Sequence, residues 1–133
     1  MVLERQPRIQ KVEVLWLGPS SNKLFGRGHW RERKAWNDEG HKQTWLAVRS
    51  QKVIPVDYLV DLEFTAYMTG SGALRDTGNN SLSAKIIEDG LVKSKILVDD
   101  APKYVNRFIC NPAKRSPKGK PWDFIEVLMI EVL

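Results

Sequence analysis

The fold is decided by residues 58–93, which read YLVDLEFTAYM, TGSGALRDTGNN and SLSAKIIEDGLVK in direct succession. In residues 58–68 apolar and polar side chains alternate, which predicts a half-buried strand. Residues 69–80 are rich in Gly and Asn and predict a loop. Ser81 can cap a helix, and helical spacing follows it at Leu82, Lys85, Ile86, Asp89, Val92 and Lys93.

Patterns on either side of this stretch complete the set of elements. Residues 12–17 are β-rich and largely apolar, which predicts a first strand. Residues 29–51 contain no Pro, and their larger side chains recur at three- or four-residue steps, which predicts a helix. Residues 104–110 and 123–132 predict a third and a fourth strand, with residues 112–121 as a long hairpin connection between them.

The resulting order is β-α-β-α-β-β, which predicts an α/β (α+β) fold. We expect two layers, with two helices on one face of a mixed four-stranded sheet. The 133 residues fit a single domain, 1–133, and 42% of them are hydrophobic, enough for a core.

Composition excludes several classes of protein. No run of 18 apolar residues is present, so we expect no membrane span. Residues 1–11 contain charges without an apolar stretch after them and do not read as a signal peptide. A single cysteine, Cys110, cannot form an internal disulfide, which favours the cytoplasm. Neither histidine, His29 or His41, has partners that indicate a zinc site.

Positive charge is concentrated in two segments. Residues 1–52 hold 11 Lys or Arg against 5 Asp or Glu, whereas residues 53–133 hold 10 against 11. The clusters are residues 23–34 and the loop 112–121. Such clusters favour a polyanion through counterion release, although a solvated surface has the same composition.

A set of ordered motifs points to one family. The loop and helix read RDTGNNSLSAKIIEDGL from Arg75 to Leu91, and Val98-Asp99-Asp100 follows after a short connector. A Pro19-Ser20-Ser21-Asn22 turn follows the first predicted strand. This order resembles the RusA-like Holliday junction resolvases, whose members have an Arg-Asp-x-Asp-Asn loop, a helix with Lys and Asp four residues apart, and an Asp-Asp turn.

The resemblance implies a Mg²⁺-dependent endonuclease that resolves four-way DNA junctions by paired symmetric nicks. It assigns catalysis to Asp76, Asp100 and Lys85, with metal ligation by Asp76 and Asp100 and help from Asp89 or Asp99. Carboxylates suit this chemistry because Mg²⁺ prefers oxygen ligands and neutralises phosphoryl charge. Lys85 would stabilise the transition state.

The resemblance also implies branched DNA as the partner, bound by a homodimer without a small-molecule cofactor. The cations expected to contact its phosphates are Arg75, Lys23, Arg27, Arg31, Lys114, Arg115, Lys118 and Lys120.

One position departs from the pattern: Gly78 stands where family members have their second loop Asp. An alternative function is therefore a junction-binding dimer that lost cleavage together with this ligand. A further alternative is an unrelated RNA-binding α/β domain.

Overall fold

A computed structural model describes residues 4–19 and 30–133. The predicted α+β class is confirmed: an open mixed sheet is combined with two helices. The elements in chain order are β1 (Ile9–Val14), α1 (Trp30–Ser50), β2 (Val60–Met68), a 3-10 turn (Thr77–Asn80), α2 (Ser81–Lys93), β3 (Val105–Cys110), β4 (Lys114–Arg115) and β5 (Phe124–Glu131). None of the helices in these described ranges is long and apolar enough to cross a membrane.

The sheet has the strand order β1-β5-β2-β3, and β4 also pairs with β2. The short β4 lies in the basic loop and adds a fifth strand to the four predicted. β2 is parallel to β3 and antiparallel to β5. The predicted hairpin between β3 and β5 is therefore wrong, because β2 lies between them. Helix α2 makes the crossover connection that a parallel pair of strands requires.

The two helices approach closely at two glycines. A Cβ on Gly90 of α2 would lie 2.9 Å from Cβ of Thr44, and one on Gly40 of α1 would lie 2.5 Å from Cγ2 of Ile86. Both distances are too short for any larger residue, so the glycines allow the helix backbones to approach. Both helices share one buried cluster with one face of the sheet. This packing holds α2 against α1 and the buried face of the sheet.

The bounds of β1 and the cap of α2 differ from the predictions. β1 spans Ile9–Val14 rather than residues 12–17. Ser81 is the first residue of α2, and the N-cap position belongs to Asn80. The Ser81 hydroxyl donates to the carbonyl oxygen of Gly78 at 2.8 Å, so it bonds the preceding turn instead of capping the helix.

A buried carboxylate clamps the N-terminal segment onto β5. Glu131 is 5% exposed, and its oxygens accept hydrogen bonds from the Arg8 backbone N–H at 3.0 Å and Arg8 Nη2 at 2.7 Å. Arg5 Nη1 adds a further pair of bonds at 3.1 Å. The hydrogen bonds from Arg8, followed by those from Arg5, lower the pKa of Glu131 from 4.5 to about 2.

This shift predicts an acid-dependent loss of stability. Because the folded pKa is depressed, the stabilisation is present above about pH 4.5 and is lost as the pH falls towards 2. Glu131→Gln should therefore lower the Tm at pH 7, with the difference from the unsubstituted protein shrinking as the pH approaches 2. Thermal unfolding between pH 2 and pH 7 measures this, with Glu126→Gln on the same strand as the control. Equal Tm values at pH 7 would contradict the clamp.

Candidate metal centre

The C-terminal end of α2 returns the chain towards the middle of that helix. The N–H of Ile96 donates to the Leu91 carbonyl at 2.9 Å, and the N–H of Lys95 donates to that of Val92 at 3.0 Å. Lys95 has φ of 62°, so the helix ends in a Schellman motif with a lysine in the left-handed position that glycine usually fills. Ile96 and Leu97 are buried, which anchors the turn. The chain reversal brings Asp100 beside α2.

Lys85 links the carboxylates gathered there. Its Nζ lies 2.7 Å from Asp100 Oδ2 and 2.6 Å from Glu88 Oε1. Asp89 Oδ1 is 3.6 Å from the same nitrogen, as expected for an ion pair between residues four positions apart on a helix. Glu88, Asp89 and Asp100 each offer one oxygen, and these oxygens all lie within 4.8 Å of one another. We refer to these three residues as the carboxylate cluster.

Burial and charge differ within the cluster. Glu88 is 3% exposed, and this burial raises its pKa although Lys85 acts in the opposite direction. The hydrogen bond and charge of Lys85 lower the pKa of Asp100, which is well exposed. Partial burial acts to lower the pKa of Lys85. The hydrogen bonds that Lys85 donates to Asp100 and Glu88 outweigh burial, so the pKa of Lys85 is raised.

The cluster fits a hard divalent cation. Three ionised carboxylates and one ammonium leave a formal charge of −2, and the available ligand atoms are oxygens. Carboxylate oxygens are the ligands that hard cations prefer. The carboxylate of Glu88 is almost fully buried, and a positive charge beside it offsets the cost of removing its charge from water. The cluster can therefore hold a metal ion.

Two hollows meet at Asp100. The acid hollow has a volume of about 290 Å³ and is lined by Lys85, Glu88, Asp100, Val105, Asn106 and Phe108. On the other side, a hollow of about 200 Å³ is lined by His41, Asp89, Val92, Lys93, Asp99 and Asp100. In it Lys93 Nζ lies 3.2 Å from His41 Nδ1, and partial burial followed by the charge of Lys93 lowers the pKa of His41. Asp100 is thus accessible from both sides.

The remaining acids assigned by resemblance lie outside the cluster. Asp76 is exposed and precedes the 3-10 turn, where its carbonyl oxygen accepts from the Asn79 N–H at 2.9 Å. Asp99 is also exposed, and its Oδ1 accepts from the Asp100 N–H at 2.8 Å. Of the four predicted metal ligands, the cluster therefore contains Asp89 and Asp100.

Glu88 is the member that the sequence prediction missed. It follows Lys85 by three residues, on the margin of the apolar face that Ile87 and Leu91 define. An ionisable residue at the edge of a helix's buried face is the signal that could have identified it, because a charge there needs a partner.

Arg75 has structural contacts. Its Nη1 donates to the Gly18 carbonyl at 2.7 Å and to Asn80 Oδ1 at 3.3 Å. Partial burial lowers the pKa of its guanidinium. Arg75 therefore ties the loop before α2 to the segment after β1, and its role with phosphates stays a prediction.

The predicted DNA-binding cations of the basic loop have different environments. Lys120 donates to both oxygens of Glu13, at 2.6 and 2.7 Å, so its charge is already paired. Arg115 bonds the carbonyl oxygens of Thr69 and Gly72. Lys114 and Lys118 are exposed, as is Arg31 on α1. Lys23 and Arg27 lie outside the described residues.

Comparison with known proteins adds no assignment: no protein-family model matches the chain, and no curated protein matches it significantly.

Proposed function

We propose that this protein is a Mg²⁺-dependent endonuclease that resolves four-way DNA junctions by paired symmetric nicks. The observation that carries the proposal is the carboxylate cluster around Lys85, because it combines oxygen ligands for a cation with an ammonium 2.7 Å from one of them. Both kinds of group can neutralise charge at a phosphoryl centre, and a bound cation can also activate water. The resemblance of the loop, helix and Asp-Asp turn to RusA-like resolvases supports the same reaction.

Each residue of the site has a distinct proposed role. Asp100, Asp89 and Glu88 hold the cation. Asp76 lies outside this cluster and contributes only if its loop approaches the bound substrate. A bound Mg²⁺ supplies a Lewis acid for the phosphoryl oxygens and activates water. The ammonium of Lys85 contacts the scissile phosphate and stabilises the charge that develops on its oxygens.

The DNA partner requires two copies of the chain. A two-fold symmetric junction cut on two strands needs two active sites, and each chain has one carboxylate cluster among residues 4–19 and 30–133. A homodimer is therefore part of the proposal. Exposed cations such as Lys114 and Lys118 would contact phosphates, so binding should weaken steeply with salt. We propose the cytoplasm as the location of this activity.

The direct test is cleavage of a labelled synthetic four-way junction with and without Mg²⁺. Symmetric nicks that require the cation are the expected result. Linear duplex of the same sequence and single-stranded RNA serve as competing substrates. Equal binding to all three would contradict junction selectivity, whereas preferential binding of the RNA would favour the alternative of an unrelated RNA-binding α/β domain.

A junction-binding dimer without catalysis is the second candidate, and Gly78 is the observation that favours it. A Cβ placed on Gly78 meets no atom within 4 Å, and its backbone is not in the left-handed region. The position therefore has room for the aspartate that RusA-like proteins have there. Loss of one charged ligand weakens the binding of a hard cation.

Gly78→Asp is expected to separate the two candidates. If the cluster is complete without an aspartate at position 78, the substitution should change the cleavage rate by less than about threefold, because one exposed charged side chain contributes little. If Gly78 is the defect, junction nicking should appear only in the variant. Gly78→Asn, which adds similar volume without charge, is the matched control. Rates are measured in single-turnover assays with Mg²⁺, alongside junction affinity.

A further inference from the structure

Phe108 is an exposed aromatic residue on an otherwise covered face of the sheet. It pairs in register with Leu62 across β2 and β3, so both side chains point to the face that the helices cover. Leu62 is fully buried and Phe64 is 3% exposed, whereas Phe108 at the sheet edge remains 38% exposed. Its ring packs on Phe64, with centroids 4.8 Å apart and planes inclined by 39°. The exposed part of the ring borders the acid hollow.

The acid hollow places this ring beside the carboxylates and Lys85. Phe108 and Asn106 line it together with Lys85, Glu88 and Asp100. Its volume of about 290 Å³ is at the lower end of the range for small-molecule sites, so it suits a single nucleotide unit rather than a duplex. Asn106 is oriented by a hydrogen bond from its Nδ2 to Asp61 Oδ1 at 2.9 Å. A phosphate at Lys85 would bring its attached nucleoside to this wall.

We propose that Phe108 is a stacking platform for an unpaired nucleobase next to the phosphate that is cut. Base stacking on an aromatic ring tolerates any sequence, and it favours DNA in which a base has already left the helix. Branch points supply such bases at lower cost than linear duplex. Phe108 thus selects branched substrates at the site itself. This inference rests on the proposed nuclease function and assigns a substrate feature to it.

The test is a thermodynamic cycle that combines removal of the Phe108 ring with removal of the base. Four Kd values are measured by fluorescence anisotropy in EDTA, for the unsubstituted protein and Phe108→Leu, each with an intact junction and with one abasic at the nucleotide flanking the cut. If no cut is observed, the abasic position is scanned across the branch point. Leucine retains the apolar packing on Phe64 but has no aromatic face, and Phe108→Tyr is the matched variant that keeps the ring.

Coupling between the two changes is the expected result. Phe108→Leu should bind the intact junction about tenfold more weakly, which corresponds to one base–aromatic stack. The same substitution should leave binding to the abasic junction unchanged, and Phe108→Tyr should bind both as the unsubstituted protein does. An equal loss on both junctions, or no loss on either, overturns the platform, as does the absence of junction binding. Cleavage with Mg²⁺ is assayed separately, so failure of the nuclease proposal is distinguishable from failure of the platform.

Discussion

Asp100→Asn should lower Mg²⁺-dependent junction cleavage by more than about 100-fold, because even partners outside the metal's own ligands contribute about 10- to 100-fold. The substitution removes a charge but keeps the shape of the side chain. Asp100 is the cluster member that borders both hollows and receives the 2.7 Å bond from Lys85. Its 42% exposure means that the fold should tolerate the amide. Single-turnover assays measure the loss of cleavage, and Mn²⁺ titration calorimetry measures the loss of cation affinity that we expect with it.

The neighbouring residue supplies the control for this prediction. Asp99 is exposed, lies outside the carboxylate cluster, and its Oδ1 accepts the N–H of Asp100. Asp99→Asn retains that acceptor, so its cleavage rate and cation affinity should stay close to those of the unsubstituted protein. Equal losses for both substitutions would show that the acidic turn acts only through net charge. Full activity of Asp100→Asn would remove Asp100 from the metal site.

The elements were predictable because their patterns are local. The alternation in residues 60–68 and the helical spacing in residues 81–93 can both be recognised from residues a few positions apart in the sequence. The position of β3 next to β2 was not predictable, because it depends on contacts such as that between Leu62 and Phe108, which are distant in sequence. A strand pattern fixes which face is buried but does not name the neighbouring strand.

The candidate site was predictable only in part, for a similar reason. Lys85 and Asp89 are one helical turn apart, so their proximity follows from geometry. The contact of Lys85 with Asp100 depends on the reversal at Lys95, where a non-glycine residue adopts a positive φ that composition does not indicate. The resemblance assigned Asp76 a role that family members share. Glu88 is not among the residues that the resemblance assigned, and its burial required the packing of α2 to be known.

Lys85→Met should strengthen cation binding while it abolishes cleavage. In the structure the ammonium lies between Glu88 and Asp100, at 2.6 and 2.7 Å, in the region that a cation ligated by these carboxylates would occupy. Methionine keeps a flexible apolar stem but removes the charge, which changes the formal charge of the group from −2 to −3. We expect affinity for Mn²⁺ to rise about tenfold, since two charges near 4 Å interact appreciably even when solvent screens them. Cleavage should fall by about 100-fold or more, as for the removal of one donor that stabilises a transition state.

The opposite signs of these two effects distinguish Lys85 from a residue that merely supports the fold. Without its ammonium the buried carboxylate of Glu88 loses its partner, so the cation-free variant should have a lower Tm at pH 7. Mn²⁺ should raise that Tm more than it raises the Tm of the unsubstituted protein, because a ligand that binds the folded state tighter stabilises it more. Lys93 is on the same helix but outside the cluster, so Lys93→Met should change neither the affinity for Mn²⁺ nor the cleavage rate. Weaker cation binding by Lys85→Met would mean that the lysine organises the carboxylates for the cation, and it would exclude competition between the two charges.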